Sequence, residues 1–400
     1  MMRRLRLGVP AAFVALALAV TGCGGGGGKT VKIGLIAPLT GPLTALGTGM
    51  RKSVQLAVDQ ANAANKIPGW KIVFAPEDDT ATAATGANAA QKLASDSQVV
   101  GVVGTLNSSV AQAVQPILAQ ANITMISPAN SNPILTQGQR WQTSPTRPYK
   151  NYFRTATTDV YQGKADADFM FKELGKHRVV VMHDKKTYGQ GLAAIFSKDF
   201  QANGGTVLQD ISVNDGEGDY KPAITRAKAQ NPDGIFYGGE YPEGGIIVKN
   251  MGELGLKPPA VPFLSGDGMV DKTFVKLAGA AAQGQYATSL GAAGKFLPTA
   301  AKFVADYKAK YNAADYAVYG PGSYDSANII IDSLATALAG KSSVDSSVRT
   351  ALIAAIQSVT FQGSLGRTSF DKYGDTTNRV LTINKVAGPD FQPQKTITVK

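Results

Sequence analysis

VVGVVGTLNSS (99–109), AQAVQPILAQAN (111–122) and MISPANSNPILT (125–136) follow one another almost without a break, and their reading decides the fold. The first is a continuous apolar run without the alternation of a half-exposed strand, which suits a parallel strand covered on both faces. The second has helical spacing. The third begins apolar (Ile123, Met125, Ile126) and then stops on Ser127-Pro128-Ala129-Asn130-Ser131, with Pro133 two residues later. Prolines forbid a regular helix there. Strand, helix and strand in this order predict an α/β unit. Both strands end on small hydroxyl and amide residues, which leave N–H, C=O and O–H groups open at close quarters. In open α/β sheets that carboxyl end is where ligands sit.

The same unit extends in both directions. VKIGLIAPLTG (31–41) is a strand running into a turn, followed by a helix over 49–65, a strand at 71–79 and an Ala-rich helix over 83–96. SPTRPYKNYFRTATTD (144–159) breaks the rhythm with two prolines and no clear period. A second series then runs through strands at 177–189, 205–213, 233–245 and 261–268, with helices over 192–203, 219–230 and 245–255 between them. Two α/β halves around a crossover predict two lobes and a cleft. Helices over 298–311, 325–340 and 347–357, a hairpin at 361–375 and two terminal strands close the chain.

The N-terminus carries its own signal. MMRRLRLG is basic, Val9 to Val20 is apolar, and VTGC follows. That run is short of the ~20 residues a bilayer requires, so it reads as a signal peptide over 1–22. Val20-Thr21-Gly22-Cys23 resembles the lipobox of bacterial lipoproteins, which implies a diacylated Cys23 and a Gly-rich tether over 23–29 (Gly24 to Gly28). An ordinary secretory peptide with a stray cysteine is the alternative. Cys23 is the only cysteine and has no disulfide partner, which favours the lipid.

Loss of Arg3, Arg4 and Arg6 with the signal peptide removes three charges from the formal net +11. The remainder is spread along the chain, without the clustered Lys/Arg and interleaved aromatics of a nucleic-acid binder. Catalytic signatures are missing. His177 and His183 are the only histidines and have no second ligand at zinc spacing, so neither a metal nor a cofactor is expected. AGKSS (339–343) resembles the end of a phosphate loop, but Ala335 stands where its glycine is required; GTGMRK (47–52) lacks the third glycine of a dinucleotide fingerprint. His183-Asp184 at a strand end is either an acid/base pair or a hydrogen-bonded structural pair. No catalytic residue is assigned and no enzyme is expected.

The strand ends together resemble those of the ABC-transporter solute-binding proteins for branched-chain amino acids. The resemblance covers the whole mature chain and rests on KIGLIAPLTGP (32–42), EDD (77–79), GTLNSS, ISPANS, HDKKTYGQGLA, YGGEYPE, LSGDG and the hairpin FQGSLGRTSFDKYGD (361–375). It implies the type I periplasmic-binding-protein fold: two Rossmann-like α/β lobes joined by three crossings and closing on ligand. The lobes would be 30–150 plus 283–377 and 151–282 plus 378–400. It implies a monomeric extracytoplasmic receptor, anchored to the cell membrane, that takes a free amino acid and passes it to an ABC permease.

Carried over position by position, the ligand carboxylate would meet Ser108 and Ser131. Its ammonium would meet the Ala129 carbonyl, the Ser131 hydroxyl and Asp267. Tyr188 would form an aromatic wall from the second lobe. For Ser108 and Ser131 the alternative is helix or turn capping. Two positions that are tyrosine in branched-chain members are Leu46 and Glu240 here, and the usual cysteine before the binding serine is Asn107. Leu46 keeps an apolar wall. Glu240 either turns to solvent, leaving Tyr241 as the wall, or points inward and favours a basic, polar or amide-type ligand. Branched-chain or hydrophobic is the preferred expectation. A ligand-sensing regulator on the same fold would need a DNA-binding segment or signalling helix, and an extracellular enzyme would need a nucleophile or metal site; the sequence offers none of these.

Overall fold

The computed structural model describes residues 29–292, 297–313 and 315–399. The expected signal peptide over 1–22, Cys23 and the expected tether Gly24–Gly28 therefore lie outside the described residues. The first sheet is built from β1 (Lys29–Ala37), β2 (Trp70–Asp78), β3 (Val99–Gly104), β4 (Thr124–Ser127) and β5 (Tyr152–Arg154). Its order is β2-β1-β3-β4-β5, with every pair parallel. Helices α1 (Thr44–Ala63), α2 (Ala83–Ser95), α3 (Ser108–Gln120) and the single turn α4 (Ile134–Gln137) connect the strands. Every residue of β3 and β4 is buried, as their unbroken apolar runs require.

The chain then crosses to α5 (Asp159–Asp168), β6 (Arg178–His183), α6 (Thr187–Ala202), β7 (Thr206–Ser212) and α7 (Lys221–Ala229). It continues through β8 (Gly234–Gly238), α8 (Tyr241–Glu253), β9 (Phe263–Ser265), α9 (Lys272–Ala278) and β10 (Tyr286–Leu290). A second crossing leads to α10 (Ala301–Tyr311), α11 (Gly320–Ala337), α12 (Ser346–Gln357) and the hairpin β11 (Thr360–Gly363) and β12 (Gly366–Ser369). α11 packs on α1 and β3, and α12 on β3 and β4, so this segment returns to the first lobe. A third crossing brings β13 (Val380–Ala387) and β14 (Asp390–Thr398) into the second sheet, whose order is β14-β13-β10-β9-β8-β6-β7. Only β13 runs against the others there, antiparallel to both β10 and β14. Their addition to the edge at β10 places all three crossings side by side.

Two expected boundaries move. β5 pairs with β4, so the first crossing follows Arg154 and not residue 150. β10 is hydrogen-bonded to β9 and β13, so the second crossing follows Leu290 and not residue 282. Helix α5 has no counterpart in the apolar pattern. Its buried face carries Asp159, Gln162, Gly163 and Asp166, and a helix that buries polar residues shows no hydrophobic period. Helices α1 and α11 begin at Thr44 and Gly320, five residues ahead of the positions read from periodicity. Pro321 in the first turn of α11 marks that earlier start.

Candidate functional site

The two sheets point their carboxyl ends at each other, and a nearly closed cavity of about 10 Å³ lies between them. Leu106, Asn107, Ser108, Ala129 and Tyr319 line it from the first lobe, and Tyr188, Glu240, Asp267 and Gly268 from the second. That is room for about one water molecule, so the two walls lie almost against each other. A wider groove lined by Asp271, Asp315 and Asp390 among others shares none of these residues.

Ser108 opens α3, but Asn107 holds the N-cap position and no side chain caps the helix. The Ser108 hydroxyl is buried without a partner. Ser131 does not cap either: Asn132 Oδ1, not Ser131, accepts from Ile134 N at 3.1 Å, and the Ser131 hydroxyl lies against the buried Asp159 carboxyl, outside the cavity lining. The capping alternative therefore describes neither serine. Arg154 holds the loop around Ser131. It donates to the carbonyls of Asn130 (3.1 Å) and Asn132 (2.9 Å), and to Asp375 Oδ1 (2.5 Å) on the chain leading to the third crossing. Ser127 Oγ accepts from Asn130 N at 2.8 Å and completes the support. The Ser108 hydroxyl thus remains open in the cavity wall, beside the α3 N-terminus. That arrangement attracts a carboxylate.

Asp267 faces them from the second lobe. Tyr188 donates to its Oδ1 at 2.8 Å and Tyr319, from the first lobe, to its Oδ2 at 2.7 Å. Gly266 permits this approach, since a Cβ there would lie 2.4 Å from the Tyr188 hydroxyl oxygen. Burial raises the Asp267 carboxyl, and the Tyr319 and Tyr188 hydroxyls pull it back towards the ionised form. A carboxylate accepts more than two hydrogen bonds, so capacity remains for an ammonium. Tyr319 escaped sequence reading. The signal available was its place directly before the Gly-Pro-Gly that starts α11.

One expected position requires correction, and the alternatives left open for Glu240 and Tyr241 are decided. Leu46 does not line the cavity; it is buried in the first-lobe core on α1. Glu240 does not turn to solvent. It is 3% exposed, lines the cavity, and is held by the Asn107 amide and by Lys186 Nζ at 3.3 Å. Tyr241 is not the wall, because its hydroxyl crosses to the Pro42 carbonyl of the first lobe. The extended backbone of Glu240 at the α8 N-cap sends its side chain into the cleft, whereas Tyr241 is already helical. His183 and Asp184 are bound separately to the backbone N–H groups of Lys185 (3.0 Å) and Lys186 (2.9 Å), which fits the structural reading of that pair.

Residues 30–388 match the periplasmic binding protein family. The chain belongs to that family. A curated relative, Leu/Ile/Val-binding protein homolog 1 of Brucella suis biovar 1, is 34% identical over 271 residues, 68% of this chain and 69% of the relative. Among solved structures, the branched-chain amino acid transporter substrate binding protein LivJ of Streptococcus pneumoniae, in complex with isoleucine, superposes with a TM-score of 0.80. It is 28% identical, and the match covers 92% of this chain and 99% of that one. A leucine-binding protein from Thermotoga maritima gives a TM-score of 0.79 at 28% identity, covering 92% and 99%. The two lobes and three crossings are thus the type I fold of periplasmic binding proteins.

Burial also loads this binding protein with protons. It pushes Asp79, Asp159 and Asp184 up to about 7 and Asp325 to about 6, and raises Asp166 further. The same groups ionise near 3.9 in an unfolded chain, so between about pH 4 and 7 the folded state holds the extra protons. Stability therefore falls as pH rises through that window. The melting temperature of ligand-free protein should drop between about pH 5 and 8; a rise over that interval would contradict the assignment.

Proposed function

We propose that this protein is an extracytoplasmic receptor that captures a free amino acid between its lobes and delivers it to an ABC permease, doing no chemistry on it. The observation that carries this reading is the polarity of the site. The unpartnered Ser108 hydroxyl and the α3 N-terminus stand on one side, and Asp267, presented by tyrosines of both lobes, on the other. An α-amino acid offers the matching carboxylate and ammonium. Charge-assisted hydrogen bonds contribute roughly 1.5–3 kcal/mol each, enough for recognition by a few such contacts. Ala129 also lines the cavity, where its carbonyl would share the ammonium.

The names of the relatives favour a branched-chain or hydrophobic side chain, and Leu106 in the cavity wall agrees with one. Buried Glu240 and the Asn107 amide favour a second reading, a polar or amide-type side chain. A thermal-shift screen of the twenty amino acids on mature protein tests both. Stabilisation by none of them would end the amino-acid reading.

The anchor is part of the proposal. Acylation of Cys23 would tether the folded chain to the membrane through Gly24–Gly28, as a monomer with its cleft free. Replacing Cys23 with serine should release the protein from the membrane fraction and leave ligand affinity intact. Retention of the serine variant at wild-type levels would remove the lipid.

A further inference from the structure

A buried carboxylate at the wall of an amino-acid site would ordinarily demand a cation from the ligand, because an unpaired buried charge costs several kcal/mol. Here the chain supplies the cation itself. Lys186, the residue that precedes α6, sets Nζ 3.3 Å from Glu240 Oε2, while the Asn107 amide reaches the other oxygen from the first lobe. The Lys186 side chain is 27% exposed and does not line the cavity, so its charge meets Glu240 from the solvent side, behind the wall. Its backbone N–H donates to Asp184 Oδ1 at 2.9 Å, which fixes the start of the stem. Its other ionic partner, Asp215 at 3.3 Å, is largely exposed and competes weakly.

We infer that Lys186 determines the specificity of the site: by neutralising Glu240 it makes the cavity select amino acids with an uncharged side chain and reject those with a cationic one. The inference rests on the amino-acid reading above and narrows it. A guanidinium or ammonium side chain entering this cavity would lose its water and find the Glu240 charge already occupied. That desolvation without a partner is a penalty against the wrong ligand. An uncharged side chain meets Leu106 and the Asn107 Oδ1 atom, which is buried and unpartnered. Asp184 and Glu243 face the same ammonium: burial raises both carboxyls, and Lys186 pulls them back towards the charged form. Burial works against the Lys186 charge too, but Glu240, Asp184 and Glu243 outweigh it and hold the ammonium above its usual range.

Calorimetric titration with leucine, glutamine, arginine and lysine tests the inference on wild type, Lys186→Met, and Lys186→Met combined with Glu240→Gln. Wild type should bind an uncharged amino acid and neither cation. Lys186→Met should lose about tenfold or more in affinity for that ligand and gain binding of arginine or lysine. The double variant should recover the uncharged ligand and lose the cations. Wild-type binding of arginine as strong as that of leucine or glutamine would overturn the inference, as would a folded Lys186→Met with an unaltered profile. Should Lys186→Met fail to fold, the double variant decides: recovered folding and binding support the pair, and continued failure overturns it. Wild type that binds none of the four falls to the broader reading of the site and takes this one with it.

Discussion

Replacing Asp267 with asparagine should weaken binding of the best amino-acid ligand by about 30-fold, near 2 kcal/mol. The amide keeps the shape and can still accept from one tyrosine, but it loses the charge that the ligand's ammonium would meet. Folding should not suffer in parallel. Burial raises the Asp267 carboxyl above its ordinary value, so ionised Asp267 costs the empty protein stability and the amide removes that cost. Calorimetry and a melting curve on both proteins separate the two effects. Equal affinity would take Asp267 out of the site; a large fall in melting temperature without ligand would show that its role is structural.

The second large effect concerns folding. Arg154 is fully buried and ties Asp375 to the carbonyls of Asn130 and Asn132 and to the Thr136 hydroxyl. Arg154→Met leaves the Asp375 carboxylate without its cation and two loop carbonyls without donors. Removing one partner of a buried pair costs about 3–5 kcal/mol, a large share of the stability of an ordinary domain. Denaturant unfolding should show the unfolding free energy falling by that amount, through a lower midpoint with little change in slope. The surviving folded fraction should also bind ligand less well, because Ser131 sits between the two carbonyls that Arg154 grips. A loss below about 1 kcal/mol would mean that the site relaxes or hydrates once the guanidinium is gone.

The strands were readable because a strand buried on both faces leaves an unbroken run of Val, Ile and Leu, as in β3. Their ends were readable because small hydroxyl and amide residues next to proline have no place in a core. Ser108 and Asp267 line the cavity between the lobes, and Ser131 lies outside its lining. Helix α5 was not readable, since its buried side is Asp159, Gln162 and Asp166, and polar residues leave no hydrophobic stripe. Nor was Tyr319, whose partner Asp267 is 52 residues away.

What the sequence by itself determined is local: continuous apolar runs, helical spacing, the proline and glycine breaks at strand ends, and a lipobox-like leader. These depend on each residue's own preferences and on neighbours a few positions away. Tertiary structure alone decided the electrostatics of the site. Glu240 meets Asn107 across 133 residues of chain and Lys186 across 54, and Arg154 meets Asp375 across 221. A carboxylate in a sequence has no environment. Whether it faces water, a lysine or a ligand depends on which distant segments the fold brings to its side, and there the energy of a charge changes by several kcal/mol. That is why the backbone scaffold of the site was visible from the chain, while the side of the cavity that selects the ligand was not.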